Sequence, residues 1–413
     1  MSSRVDLYHQ QQTNTLIMKV LAIDDQQLVL LPLQKRLVEL GYEVQIETDG
    51  KKGMEAFNTF NPDLVIVDIN MPFVSGLDVV KHIRITKNSE TPIMVLSGDT
   101  KDETITEGFD LGINDYMKKP LSLNEISARV KRLIGTPEGQ NTVTNSNVMI
   151  QERCVGVVIP CYNEEERLLS EEFITYIDKN SGYHLCFVND GSKDKTLEVL
   201  KQLQKGRENF ITVYDCEKNG GKAEAVRLGM LHMAKKEDLD YIGFLDADLS
   251  TDLADFDDLV KTIETTDFKI VSGSRISRMG ADITKESARK IISLTINFII
   301  RKILKMDFKD TQCGAKIFQK DVINIAFGEK FVTQWIFDVE IFKRMSIHFG
   351  LKEAKAMLCE QPLKRWIHAD GSKLSMKDSV KIVAQLGQIA WVYRNKKKYA
   401  TSKKHVTNNV NVA

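Results

Sequence analysis

A chain of 413 residues is too long for one ordinary core and long enough for two domains of common size. Apolar residues make up 42% and charged residues 28%, a balance that excludes a disordered chain. Lysine plus arginine equals aspartate plus glutamate, so the formal net charge is zero and nothing in it calls for a nucleic-acid partner.

Residues 1–15 are polar and read as a disordered N-terminus, with no apolar stretch of the kind a signal peptide needs. Over 16–135 the apolar runs IMKVLAID, PDLVIVDI, TPIMVLSG and INDYMKKP alternate with helical patterns such as QQLVLLPLQKRLVEL and SLNEISARVKRLI. Buried runs alternating with helices predict a parallel sheet covered on both faces. Residues 136–150, which include TPEGQNTVTNSN, read as a linker. A second α/β series over 151–376 carries VGVVIP, HLCFVND, FITVYD, YIGFLDAD and FKIVSGS. An amphipathic basic helix over 377–400 and a disordered tail over 401–413 close the chain. No internal repeat is visible, and no stretch approaches the roughly 20 apolar residues that span a bilayer. The six cysteines contain no C-x-x-C pair and lie mostly in apolar runs, so buried free thiols fit better than a disulfide or zinc framework.

In an open parallel sheet, ligand chemistry gathers beyond the carboxyl ends of the strands. In the first domain those ends carry Asp24, Asp25, Asp68, Ser97 and Lys119. Three carboxylates on one rim repel each other unless a divalent cation sits among them, and Mg²⁺ suits such an oxygen-rich site. The acidic pair Asp24-Asp25, D-I-N-M-P with Asp68, the Ser97 hydroxyl and K-P with Lys119 resemble the response-regulator receiver family. The resemblance implies a flavodoxin-like fold with a parallel five-stranded sheet and Asp68 as phosphoacceptor. It also implies Mg²⁺ held by Asp25, Asp68 and the Asn70 carbonyl with help from Asp24, and a switch built from Ser97, Tyr116 and Lys119. Its partner would be a sensor histidine kinase or phosphotransfer protein. A receiver-like domain that is never phosphorylated is the other reading.

The second sheet ends in different groups: Pro160-Cys161-Tyr162-Asn163-Glu164, Asn189-Asp190-Gly191-Ser192, and Asp246-Ala247-Asp248. An Asp-x-Asp at a strand end can grip a metal and a ribose, and the metal can neutralise a departing diphosphate. Lys222 in NGGKAEA lacks the spacing of a P-loop, and no G-x-G-x-x-G follows a strand.

With DTQCGAKIF (310–318), WIFDVEIF (335–342) and GSKL (371–374), the region 153–376 resembles the family-two inverting glycosyltransferases of GT-A fold. Within them it is most similar to the dolichyl/polyprenyl-phosphate hexosyltransferases, in particular the dolichyl-phosphate β-glucosyltransferases. That resemblance implies a nucleotide-sugar site of Pro160, Tyr162, Glu164, Asp190, Lys222 and Asp246. It implies Asp248 on a Mg²⁺ or Mn²⁺ ion and Lys373 on the donor diphosphate. Arg275, Arg289 and Ser293 match positions that bind the acceptor phosphate. Ala315 and Ser250 depart from the family pattern, which leaves the metal shell and donor sugar open. Asp338 and Glu340 can pair structurally as readily as touch substrate.

Two segments suit a lipid-linked acceptor: RKIISLTINFIIRKILK at 289–305 and SVKIVAQLGQIAWVYRNKKK at 379–398, both apolar with basic flanks. They would lie on a membrane surface, or pack on the domain or on a second copy of the chain in a homodimer. The resulting expectation is a cytoplasmic, phosphorylation-regulated transferase at the inner face of the plasma membrane. It would move a hexose, from UDP-glucose or a similar donor, to a polyprenyl phosphate with inversion. A soluble transferase acting on a polysaccharide and a non-catalytic signalling module are the alternatives.

Overall fold

A computed structural model describes residues 17–98, 102–137, 149–275, 282–283, 287–366 and 381–394. The side chains of 287–295 are not among those described. The expected termini, the GSKL motif with Lys373, and the side chains of Arg289 and Ser293 lie outside the described residues. The chain divides into two compact units, with a boundary at Glu152–Arg153 and residues Lys179–Ser181 grouped with the first.

In the first unit β1 (Lys19–Ile23), β2 (Glu43–Glu47), β3 (Leu64–Asp68), β4 (Ile93–Ser97) and β5 (Asp115–Lys118) form a five-stranded sheet of order β2-β1-β3-β4-β5. Every pairing is parallel. Strands β3 and β4 are buried throughout because both faces are covered, and LVIVD and IMVLS are accordingly apolar up to their last residue. Strand β2 is an edge, half-exposed, and its EVQIE alternates polar with apolar residues.

Around this sheet lie α1 (Gln27–Glu39), α2 (Gly50–Phe60), α3 (Gly76–Lys81), α4 (Asp102–Asp110) and α5 (Leu123–Ile134). Asp49 caps α2 by accepting from the Lys51 and Lys52 amides at 2.8 and 3.0 Å. Ser75 and Asp78 close a capping box on α3, and Ser122 caps α5. Gly76 opens α3 beneath β3, where a Cβ would stand 2.1 Å from the Asp68 carbonyl oxygen. Only glycine lets the helix start so close to that strand end.

The second unit is built on β6 (Met149–Cys161), β7 (Asn180–Asn189), β8 (Ile211–Asp215), β9 (Tyr241–Leu245), β10 (Ile270–Ser274), β11 (Ala315–Gln319) and β12 (Leu358–Pro362). The sheet order is β12-β10-β11-β9-β6-β7-β8. Strand β11 runs antiparallel between β9 and β10, so this sheet is mixed. Its core gathers Val157, Phe187, Leu245, Phe256 and Ile317. Helices α6 (Ser170–Lys179), α7 (Thr196–Gln204), α8 (Lys222–Met233), α9 (Leu253–Glu264), α10 (Ser287–Leu304), α11 (Ile323–Phe327), α12 (Phe337–Phe349) and α13 (Leu351–Ala356) surround it.

A last helix, α14, covers 381–394. Both segments expected to suit a membrane contain helix and bury one face: Ile296, Ile300 and Leu304 on α10, and Leu386, Ile389 and Tyr393 on α14. Phe298, Val383 and Trp391 stay exposed. No helix among the described residues is long and apolar enough to cross a membrane.

Candidate functional site

At the carboxyl end of the first sheet, the Lys119 ammonium donates to Asp24 Oδ2 at 2.7 Å and stands 3.1 Å from Asp68 Oδ1. The backbone orients both carboxylates: the Gln26 amide donates to Asp24 at 2.9 Å and the Asn70 amide to Asp68 at 2.8 Å. Burial pushes the Asp24 carboxyl up to about 7, because a desolvated pocket disfavours a second negative charge beside Asp68. Burial alone would lower Lys119, but the two carboxylates more than offset it and hold its ammonium above the usual lysine range. Ser97 is buried at the end of β4, with the Asn70 side-chain amide 3.5 Å from its hydroxyl. Tyr116 is half-buried on β5.

Lys119 bridges Asp24 and Asp68, and among the described residues no group of three or more histidine, cysteine, aspartate or glutamate side chains is arranged to hold a metal ion. Sequence reasoning passed over Phe73, fully exposed at φ 65° five residues beyond Asp68, where the Val74 amide donates back to the Pro72 carbonyl at 2.8 Å.

The second site is knitted from the loops after β6, β7, β8 and β9. The Asn163 amide donates to Ser192 Oγ at 3.1 Å, and the Glu164 amide to Thr196 Oγ1 at 2.8 Å, which joins the Pro160–Glu164 turn to N-D-G-S. Asp190 accepts from the Gly220 and Gly221 amides at 2.7 and 2.9 Å, so its carboxylate holds the N-G-G-K loop. Burial raises the Asp190 and Glu164 carboxyls. Tyr162 is exposed beside Glu164.

Lys222, first residue of α8, places its ammonium 2.5 Å from Asp246 Oδ1. Asp248 is exposed and accepts from the Ser250 amide at 3.0 Å. The Asp248 charge also raises the Glu164 carboxyl, after burial and against the pull of Arg167. A cavity of about 630 Å³ opens beside Gly220, walled by Tyr214, Glu217, Glu224, Phe331 and Gln334.

The DTQCGAKIF motif supplies framework that residue-type reasoning did not assign. Asp310 takes Arg275 in a bidentate pair at 2.7 and 2.8 Å and also accepts the Arg275 amide at 2.9 Å. Although burial opposes ionisation, Arg275 holds the Asp310 carboxyl down at about 2. Glu360 fixes the same turn, accepting from the Asp310 amide at 2.6 Å and from Ser274 Oγ at 2.8 Å. Lys316, fully buried, pairs with Asp338 at 2.7 Å and donates to the Cys313 carbonyl at 2.7 Å. Burial raises Asp338 against the pull of Lys316. Glu340 is also fully buried and accepts from the Val332 and Thr333 amides. Asp338 and Glu340 are thus both internally paired.

The receiver-domain family model, "Response regulator receiver domain", matches residues 20–131, and "Glycosyl transferase family 2" matches 156–325. A dolichyl-phosphate beta-glucosyltransferase (ALG5A) of Trichomonas vaginalis is 33% identical over 252 residues, 58% of this chain and 74% of that protein. The alkaline phosphatase synthesis transcriptional regulatory protein PhoP of Bacillus subtilis is 34% identical over 120 residues, 29% of this chain and 50% of that protein. The solved chemotaxis protein CheY4 of Vibrio cholerae is 30% identical, covers 28% of this chain and 98% of its own, and has a TM-score of 0.27.

A 2-1-3-4-5 parallel sheet with an acidic rim, followed by a mixed sheet whose central strand β9 runs into Asp-x-Asp, defines a receiver domain fused to a GT-A glycosyltransferase. The family match and the glucosyltransferase relative make the transferase half an enzyme and not a bare binding module. The chain belongs to the dolichyl-phosphate β-glucosyltransferase family.

Proposed function

We propose that the transferase domain moves a hexose from a nucleotide-sugar donor, UDP-glucose or a close relative, to a polyprenyl phosphate with inversion. Phosphorylation of Asp68 by a sensor histidine kinase or phosphotransfer protein would regulate it. The observation that carries the transfer reading is the seating of Asp246 between Lys222 and the D-T-Q-C-G turn. Proximity of that kind orients the sugar nucleotide at the mouth of the sheet.

In this reading Pro160, Tyr162, Glu164 and Asp190 hold the nucleoside and Asp246 its ribose side, with Lys222 and Lys373 on the diphosphate. Asp248 would hold a Mg²⁺ or Mn²⁺ ion, which when bound neutralises the departing diphosphate. The acceptor needs no strong base, since a phosphate monoester loses its second proton near pH ~6. Its oxygen attacks the anomeric carbon, the bond from that carbon to the diphosphate oxygen breaks, and the nucleoside diphosphate leaves with the electron pair. Arg275, Arg289 and Ser293 hold the acceptor phosphate in line, and the Asp310 clamp fixes the plane of the Arg275 guanidinium.

Exposed Phe298, Val383 and Trp391 beside Lys302 and Arg394 support contact with an anionic membrane surface, which for a cytoplasmic protein is the inner face of the plasma membrane. A screen of radiolabelled nucleotide sugars with undecaprenyl or dolichyl phosphate tests the reading. One sugar nucleotide should give organic-phase product, and loss of the label to water-soluble acceptors alone would overturn it.

A further inference from the structure

The cavity beside Gly220 is walled on one side by residues 330–334, within the segment 330–335 that leads into α12. That segment has no regular hydrogen-bond ladder of its own, so something else must hold its backbone. The holder is Glu340. Its Oε2 accepts the Val332 amide at 3.0 Å, and its Oε1 accepts the Thr333 amide and Thr333 Oγ1, both at 2.8 Å.

A fully buried carboxylate is tolerated only when its lone pairs are filled. Here Tyr393 of α14 completes the set, its hydroxyl donating to Glu340 Oε2 at 2.8 Å. Arg344 donates to the same Tyr393 oxygen at 2.9 Å. The rest of that guanidinium reaches the carbonyls of Ala326, Glu329 and Lys330 at 2.7 to 2.9 Å, and it lies 4.3 Å from the centroid of the Phe331 ring. The base of the segment is therefore clamped by one buried carboxylate–guanidinium pair, and a phenol from the C-terminal helix bridges that pair.

The other end of the segment meets the donor side. The Gln334 side chain lies against Gly221, where a Cβ would stand 3.7 Å from Gln334 Cδ. The Gly221 amide is bound to Asp190, and the next residue, Lys222, is bound to Asp246. Trp335, adjoining Gln334, is 73% exposed.

We infer that Glu340 and Tyr393 are positioning residues for the donor pocket, through which α14 sets the affinity for the donor nucleotide without touching it. The inference rests on the reading of the N-G-G-K loop as part of the donor site. Loosening the clamp leaves residues 330–335 to be ordered at the moment of binding, and that ordering is subtracted from affinity.

The test measures equilibrium binding of UDP and GDP to the full-length protein, followed by Trp335 emission in a Trp366→Phe, Trp391→Phe background. Thermal midpoints are recorded alongside. Tyr393→Phe keeps the ring and removes the bridging hydroxyl, while Thr333→Val removes one bond from the segment to the same carboxylate. Each should weaken whichever diphosphate the parent binds by about fivefold or more, and the double variant should be no more than about twofold worse than the weaker single, as members of one network are non-additive. Thr333→Ser, which keeps the hydroxyl, should restore affinity, so a folding failure of Tyr393→Phe alone leaves the test intact. Affinities unchanged within about twofold while the midpoint falls would reduce the clamp to a structural one and overturn the inference, as would strict additivity. A parent protein that binds neither diphosphate would instead overturn the donor-site reading itself.

Discussion

Asp246 rests on Gly314 so closely that a Cβ at that glycine would stand 2.0 Å from Asp246 Oδ2. The carboxylate is thereby pressed toward Lys222, whose ammonium is 2.5 Å from its other oxygen. The Asp-x-Asp motif and the D-T-Q-C-G motif are in this sense one device, since the second supplies the floor on which the first is oriented.

Gly314→Ala should therefore act as an active-site substitution although its methyl carries no chemistry. The Asp246 carboxylate has to move, and it loses its register with Lys222. Losing one preorganised charge contact typically costs about 10²–10³ in turnover. Combining Gly314→Ala with Asp246→Asn should cost little more than Asp246→Asn alone, since both remove the same interaction. Full turnover in folded Gly314→Ala would mean the close packing is incidental.

At the other site, Asp68 should accept phosphate from a small-molecule phosphodonor in a Mg²⁺-dependent way. Its carboxylate is presented at the sheet end by the Asn70 amide and faced by Lys119. Wild-type protein should become labelled and Asp68→Asn should not. Equal labelling of the two would move the phosphosite elsewhere.

Phosphorylation is useful only if it biases two arrangements of the chain. In the proposed switch, Ser97 drawn toward a phosphoryl group would give half-buried Tyr116 room to turn inward and would alter the face carrying α5. Such a shift needs a differential of a few kcal/mol between states. Beryllofluoride should change transferase rate or assembly at least about threefold, roughly 0.6 kcal/mol. Cleavage within linker residues 136–150 should abolish that response and leave basal transfer, because a polar linker transmits nothing once cut. No change in rate or assembly would reduce the receiver to a localisation module.

A pH effect on stability follows from His184, which is buried on β7 with its Nε2 2.7 Å from Thr212 Oγ1. Burial, reinforced by Lys236, pushes the imidazole down to about 3 from its usual 6.5. The unfolded chain thus binds a proton between those values that the folded chain refuses, so this stabilisation is full above pH 6.5 and is lost as pH falls. The slope is at most about 1.4 kcal/mol per pH unit. Wild type should lose stability relative to His184→Gln as chemical denaturation curves are taken from pH 6.5 to 4.5. Parallel curves would show that the histidine is protonated in place.

Much of this was legible in the sequence where burial and chemistry speak through short runs. Strands β1, β3 and β4 announce themselves as apolar segments, and β1, β3, β4 and β5 each end at or just before a residue of the rim, respectively Asp24, Asp68, Ser97 and Lys119. Edge strand β2 has no such run, because a half-exposed strand is free to carry Glu43 and Glu47. Strand β11 was hidden inside a motif read for its chemistry, and its antiparallel placement depends on partners far along the chain. Tyr393, in a segment expected to lie on a membrane surface or to pack on the domain or a second copy, turns inward, where its hydroxyl meets a buried carboxylate 53 residues away. The Glu340–Tyr393 contact and the Arg275–Asp310 clamp are long-range pairings that no local pattern encodes.

The most direct measurement is transfer of labelled glucose from UDP-glucose in the presence of undecaprenyl phosphate and a divalent metal, read as radioactivity extracted into organic solvent. Organic-phase label should require the lipid monophosphate and should fall about 10²–10³-fold in folded Asp248→Asn. Label that stays in the aqueous phase with the lipid present, or organic product made equally well by Asp248→Asn, would contradict it.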